Sequence, residues 1–354
     1  MNKRTPGLLW PHFVVLVCAV TTGSLRGEEK AMSIGDIAKA NRRAISSIRS
    51  IVVEGKGEME ITGPEPVRRY PAEKYTWTWQ GDKVRMEQLS ATLKDRDGDA
   101  GGAEEYEWKY LDFYNGPDGY KELMIYNPGG PPLITETQRG RANGIVDSTR
   151  PKPYGGWTNP NSRCLFTFGG WPNEASLSDL IGDAGNRCSI RERPSQSNGH
   201  CYVLEVAVTK QKVRYVVWVD PTASFLVRKL ERFDEAGTLS SRAEVLSFTR
   251  CDGGVVIPKA VNFEAYQGSK TAKPPIKIAF YVDISVKQVN QKLGKGAFEV
   301  RFPEWLRVSD RKTGQYYLWG TNGPRRVFKN AEEFEAFERQ NLPHPEVPVP
   351  PQSK

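Results

Sequence analysis

Apolar residues at positions 34, 37, 45, 48 and 51 recur at helical spacing across residues 33–51, with Asn41 as a polar break. Ser33 followed by Asp36 has the form of a capping pair, so the pattern predicts an amphipathic helix starting just after Ser33. The period then changes, and residues 51–61 read as a long strand loosened by Gly55 and Gly57. Tyr75, Trp77 and Trp79 alternate with Thr76 and Thr78, which sets all three rings on one face. Gln80-Gly81-Asp82 supplies a turn, and Val84 and Met86 return in alternation with Arg85 and Glu87, completing a hairpin. Tyr106, Trp108 and Tyr110 repeat the aromatic alternation before Asn115-Gly116 and Asp118-Gly119 turn the chain again.

Residues 127–161 break this order with Pro128-Gly-Gly-Pro-Pro132, Pro151, Pro153, Gly155-Gly156 and Pro160. Tyr154-Gly-Gly-Trp157 and Phe168-Gly-Gly-Trp171 echo each other, but two copies do not make a repeat architecture. Residues 176–181 could form a short helix, capped by Ser176 with Asp179 three positions on. Strand patterns resume at 201–208, 213–219, 225–233, 241–249, 255–263 and 276–286, separated by short turn sequences such as Asp220-Pro221 and Asp252-Gly253-Gly254. Residues 330–339 read as a surface helix with Phe334 and Phe337 on one face, followed by a proline-rich tail at 343–351.

The pattern implies an α+β chain that is mostly β. Its organisation would be a signal peptide at 1–27, one domain at 31–320 with a Gly/Pro-rich insertion at about 127–200, and a C-terminal helix with its tail at 321–354. The leader reading rests on Lys3 and Arg4, the apolar run 13–20 and the small-residue exit Thr21-Thr22-Gly23-Ser24, with cleavage after Gly23 or Gly27. That run is far shorter than the ~20 residues needed to cross a bilayer. An exported protein, periplasmic or extracellular, is expected.

Composition adds two constraints. The formal net charge of +8 falls to +5 once Lys3, Arg4 and Arg26 leave with the leader, which contains no acid. The remaining basic pairs (Arg42-Arg43, Arg68-Arg69, Arg325-Arg326) are scattered, which argues against a nucleic-acid partner. Export would leave Cys164, Cys188, Cys201 and Cys251 in an oxidising compartment, where two disulfides are expected in one of three connectivities. Cys188 and Cys201 flank a turn-rich stretch, which makes a Cys188–Cys201 bridge plausible and leaves Cys164 with Cys251.

The segments Arg214-Tyr-Val-Val-Trp218-Val-Asp220-Pro221, Phe225-Leu-Val-Arg228, Phe233-Asp-Glu-Ala-Gly237 and Asp252-Gly-Gly-Val-Val-Ile-Pro258 resemble the LolA/LolB-like family of periplasmic lipoprotein carriers, and Phe302-Pro303 with Val308-Ser-Asp310 resembles its closing segment. The match centres on residues 214–264. The resemblance implies an incomplete antiparallel β-barrel, a curved meander sheet covered by helices on its concave side, with an apolar cavity for acyl chains. It implies a lipid or lipidated protein as partner, with a membrane protein as a further one. In such carriers an arginine on an early strand closes the lid. Arg85 is the nearest candidate, and Arg68 and Arg69 compete with it.

Acyl chains bind by apolar burial, about 25 cal/mol per Å², and need no titratable group. The expected ligand-binding wall is Tyr75, Trp77, Trp79, Val84, Met86, Trp108 and Tyr110, although the same rings would equally serve a packed core. Catalytic patterns are weak: there are only three histidines (His12, His200 and His344), and no Gly-x-Ser-x-Gly surrounds Ser189 or Ser197. The acid pairs Glu58/Glu60 and Glu104-Glu105 suit a solvated surface, and Asp95-x-Asp97-Gly-Asp99 lacks the rest of a calcium loop. No enzyme activity, cofactor or metal is expected. The alternatives are an envelope-stress sensor on the same fold, or a glycan-binding β protein using Trp157 and Trp171.

Overall fold

A computed structural model describes residues 32–63, 67–93, 106–126, 142–147, 177–267, 276–304, 306–321 and 323–341. The first helix, α1 (Ile34–Ser46), is capped as its sequence suggests: Ser33 Oγ accepts from the Asp36 amide at 3.2 Å, and the Asp36 carboxylate accepts from the Ser33 amide at 3.1 Å. A meander follows, made of β1 (Ser50–Thr62), β2 (Arg68–Gln80), β3 (Lys83–Leu93), β4 (Tyr106–Gly116), β5 (Gly119–Tyr126) and β6 (Ala142–Asp147). After the short helix α2 (Leu177–Gly182) a second meander runs through β7 (Asn186–Glu192), β8 (Tyr202–Val208), β9 (Val213–Asp220), β10 (Leu226–Phe233), β11 (Leu239–Arg250), β12 (Val256–Gln267) and β13 (Ile276–Val289). The described residues end in β14 (Arg307–Asp310), β15 (Tyr316–Gly320), β16 (Gly323–Phe328) and α3 (Ala331–Asn341).

Among the described residues, all sixteen strands belong to one sheet, ordered β16-β15-β14-β6-β5-β4-β3-β2-β1-β13-β12-β11-β10-β9-β8-β7. The two meanders join where β13 pairs with β1, Val53 opposite Val286 and Gly57 opposite Val282. Every pairing is antiparallel but one: β14 adds in parallel to the edge of β6, Val308 opposite Gly144. The expected boundary after residue 320 falls in the β15–β16 hairpin, and the insertion expected at about 127–200 supplies β6, α2 and β7.

The sheet is curved and open, an incomplete barrel whose edges are β16 and β7. The helix α1 shows why curvature is required. It leads into β1 after three residues, yet it packs on β7, seven strands away in the order. Flat strands at ~4.8 Å spacing would set β1 and β7 about 34 Å apart, whereas a 13-residue helix is about 20 Å long. The inner face carries the main core. Ile37 of α1 and Leu177 and Leu180 of α2 pack there with Ile51, Val53, Leu204, Val206, Tyr215 and Val217. A second core lies on the outer face, where Val300, Phe302, Leu306 and Val308 cover Tyr114, Leu123, Ile125 and Ala142. Phe334 of α3 packs on Phe328 and Leu318 in a third.

The Asp220-Pro221 turn has a direct structural role. Asp220 Oδ1 accepts from the Thr222 amide (2.8 Å), the Ala223 amide (3.2 Å) and Thr222 Oγ1 (2.6 Å), while Arg228 Nε donates to Oδ2 at 2.7 Å. The Arg228 guanidinium also lies over the Phe248 ring. The residues that carry the family resemblance thus lock a strand-to-strand turn.

The cysteines depart from expectation. Cys188, Cys201 and Cys251 are free thiols, and Cys164 lies outside the described residues. The reason is register: Cys188 sits opposite Val206, and Glu192 is already opposite Val203, so Cys201 falls beyond the end of the ladder.

Candidate functional site

Five of the seven expected wall residues share the inner face. Trp77 lies opposite Val53 and Met86, Trp79 opposite Ile51 and Val84, and Tyr75 opposite Gly55. Of these, Trp77, Trp79, Val84 and Met86 line neither of the two described cavities, and Tyr75 borders one of them. Trp77, Val84 and Met86 are 5%, 5% and 6% exposed and belong to the main core, with Tyr75 and Trp79 packed against it. Tyr75 covers Gly55 so closely that a Cβ there would overlap its ring, and Phe280 covers Gly57 in the same way. This end of the half-barrel is filled by its own aromatic side chains. Its polar atoms are not all matched: among the described residues the Trp77 indole Nε1–H and Asn115 Oδ1 are buried without hydrogen-bond partners.

Tyr110 lies on the other face. Met86 opposes Phe113 and Leu89 opposes Tyr110, so these pairs lie three positions apart and parity reverses. Trp108 pairs in the β4 backbone with Ala91, and its side chain lies outside the described residues, as do Trp157 and Trp171. The expected wall is therefore divided between the two sides of one sheet.

The outer face holds an open groove of about 740 Å³ across β13, β1, β2 and β3. Leu89 and Tyr110 form its apolar wall, and Lys56, Lys74 and Lys259 stand around it. A smaller cavity of about 350 Å³ adjoins it and shares Tyr110, so this ring forms the partition between them.

Behind the partition lies a buried charge network. Arg85 donates to both Asp112 oxygens at 2.9 Å and pairs with Glu87 at 3.1 Å, while the Tyr110 hydroxyl donates to Glu87 Oε1 at 3.2 Å. Burial pushes the Tyr110 hydroxyl pKa far above its usual value, and the carboxylates of Asp112 and Glu87 add to this. Burial also raises Asp112, which is 3% exposed, although the bonds from Arg85 work against the rise. Arg85 is thus bound into the outer face, opposite to the side on which α1 and α2 lie, and is not placed to close a lid over the inner face. Arg69 pairs with Glu60 at 3.0 Å.

Catalytic geometry does not form around the candidates. His200, the one histidine among the described residues, is exposed in a turn with φ at 60°. Ser197 shares a hydrogen bond with Ser195, and Ser189 is exposed on β7. Among the described residues no group of three His, Cys, Asp or Glu side chains is placed to hold a metal ion, and no helix is long and apolar enough to cross a membrane.

No protein-family model matches the chain, and no curated protein matches it. Solved structures do resemble it. A DUF1329 family protein from Desulfovibrio piger is 15% identical over 76% of this chain and 98% of that one, with a TM-score of 0.41. A LolA superfamily protein from Nitrosomonas europaea is 13% identical over 76% and 99%, at 0.38. A structure described as an outer membrane lipoprotein-sorting protein domain, from Vibrio parahaemolyticus, is 12% identical over 75% and 97%, also at 0.38. Two of the three carry the LolA or lipoprotein-sorting name to which the sequence resemblance led, and likeness this distant says nothing about ligand or partner.

Proposed function

We propose that this chain is an exported, non-enzymatic binding protein that holds a lipid or the acyl chain of a lipidated protein, and that the ligand lies in the outer groove. The observation that carries this reading is the groove itself. Its volume of about 740 Å³ falls within the ~300–1,000 Å³ of small-molecule sites. Leu89 and Tyr110 offer apolar surface beside cationic side chains, the combination that suits an amphiphile. The inner face, where the family resemblance would put an acyl chain, is occupied by Tyr75, Trp77 and Phe280.

Lipid extraction of the purified chain followed by mass spectrometry, with titration of the delipidated protein by a fluorescent fatty acid, tests the proposal. A bound amphiphile that is lost in Leu89→Arg supports it. Absence of bound or added lipid, in protein shown to be folded, overturns it.

A second reading, a periplasmic sensor contacting a membrane protein, draws on the filled interior and on β7, the last strand in the sheet order among the described residues. Recovery of one membrane protein by pull-down, unaffected by delipidation or by Leu89→Arg, would favour it over lipid carriage.

A further inference from the structure

The outer groove has a cross-strand charge arrangement that the fold does not require. Lys56 of β1 lies directly opposite Lys74 of β2, and both belong to the groove. Like charges directly opposite one another in an antiparallel pair are destabilising. Of the nearby acids, Glu54 is held by Lys287 at 2.8 Å and Glu87 by Arg85 at 3.1 Å, while Asp283, opposite Lys56 on β13, accepts from the neutral Tyr281 hydroxyl at 2.9 Å and keeps its charge beside Lys56. Lys56 leans to Glu58 at 3.2 Å. That leaves Lys74 and Lys259 without a carboxylate or hydrogen-bond partner among the described residues. Lys259 precedes Ala260, which opposes Asp283, so the two unengaged lysines stand on β2 and β12, about 14 Å apart at three strand spacings.

We propose that Lys74 and Lys259, with Lys56 between them, bind the anionic head group of a single-chain amphiphile, phosphate or carboxylate in chemistry, whose tail lies against Leu89 and Tyr110. This rests on the reading of the groove as an amphiphile site and goes beyond it by assigning the head group. An anion here would supply the partner that Lys74 and Lys259 lack among the described residues.

The test uses the full mature chain, delipidated, and three probes: a lysophosphatidylglycerol, a lysophosphatidylcholine with the same tail, and glycerol phosphate with no tail. The anionic lysolipid should bind about tenfold more tightly than the zwitterionic one, and the preference should shrink as salt rises. In Lys74→Gln/Lys259→Gln the preference should fall to near unity while affinity for the zwitterionic lipid stays the same. Lys74→Gln alone should keep or raise the thermal midpoint, since it relieves repulsion. Loss of affinity that accompanies loss of stability would therefore overturn a binding role. Equal binding of the two lysolipids by the parent chain overturns the head-group assignment and leaves the groove reading intact. Failure of both lysolipids to bind overturns the groove reading, and this inference with it. Glycerol phosphate binding as tightly as the lysolipid overturns the amphiphile and points to a site for a free phosphate compound.

Discussion

The ring of Tyr75 occupies the space that a side chain at Gly55, its cross-strand partner, would need. Intrinsic strand preference favours a β-branched residue over glycine at a strand interior. Contact here opposes it, because neither the ring nor the β1 backbone can move without disturbing Trp77 and Phe280 in the same core. Gly55→Val should therefore lower the unfolding free energy by about 1–3 kcal/mol, the usual cost of overpacking. Lys56→Val, on the exposed face of the same strand, should stay within about 0.5 kcal/mol. Denaturant titration of the two variants decides between packing and propensity.

The Arg85–Asp112 pair should be costly to break. Both carboxylate oxygens are bonded and Asp112 is buried, so Asp112→Ala leaves the Arg85 guanidinium with the half-exposed Glu87 as its one remaining carboxylate among the described residues. A loss of about 3–5 kcal/mol is expected. Glu87→Gln, at a more exposed site, should cost about 1 kcal/mol or less. Equal effects would show that the network is solvated rather than buried.

Acid should weaken the protein in part through Asp220. Burial alone would raise this carboxyl, but the bonds from Thr222 and the Arg228 guanidinium outweigh it and hold its pKa below the usual carboxylate range. A folded pKa below the unfolded one means stability that is present above about pH 4 and lost as pH falls through the folded value. Asp220→Asn should be less stable at neutral pH, and its difference from the parent should shrink on acidification below pH ~4. Urea unfolding of both proteins across that window gives the comparison.

The thiols supply a fourth expectation. Cys188 and Cys201 should both react with an alkylating reagent in denaturant without reductant, and Cys188→Ser should leave the unfolding midpoint almost unchanged. A bridge between them would block both reactions and would be worth about 2–5 kcal/mol. In the folded state Cys201, 1% exposed and with its thiol pushed by burial up to about 11, should resist alkylation at neutral pH.

Much of the fold is legible in the sequence because it is local. The Ser33–Asp36 capping box, the Trp77–Met86 hairpin and the turn after Asp220 each depend on residues within about a dozen positions of one another. Alternation also places Tyr75, Trp77, Trp79, Val84 and Met86 on a common face correctly. What alternation cannot give is register between strands, where a shift of one residue reverses every side chain. Tyr110 shows this: its strand alternates as expected, but pairing with Leu89 sends it outward, away from Trp77. The same limit applies to Cys188 and Cys201, close in sequence yet offset along the ladder. The parallel pairing of β14 with β6 joins segments some 160 residues apart, and no local signal marks it. Whether an aromatic face is hollow or filled depends on what covers it, and the covering of Gly55 by Tyr75 and of Gly57 by Phe280 appears only in three dimensions.

The most direct measurement is residue-level mapping of a photoreactive lysophosphatidylglycerol, its diazirine placed in the tail, crosslinked to the delipidated chain. Labelling should fall on Leu89, Tyr110 and their outer-face neighbours and should be lost with unlabelled competitor. Labelling of Ile37, Trp77 or other inner-face residues would show that the ligand lies beneath the helices after all, and would contradict the outer groove as the binding site.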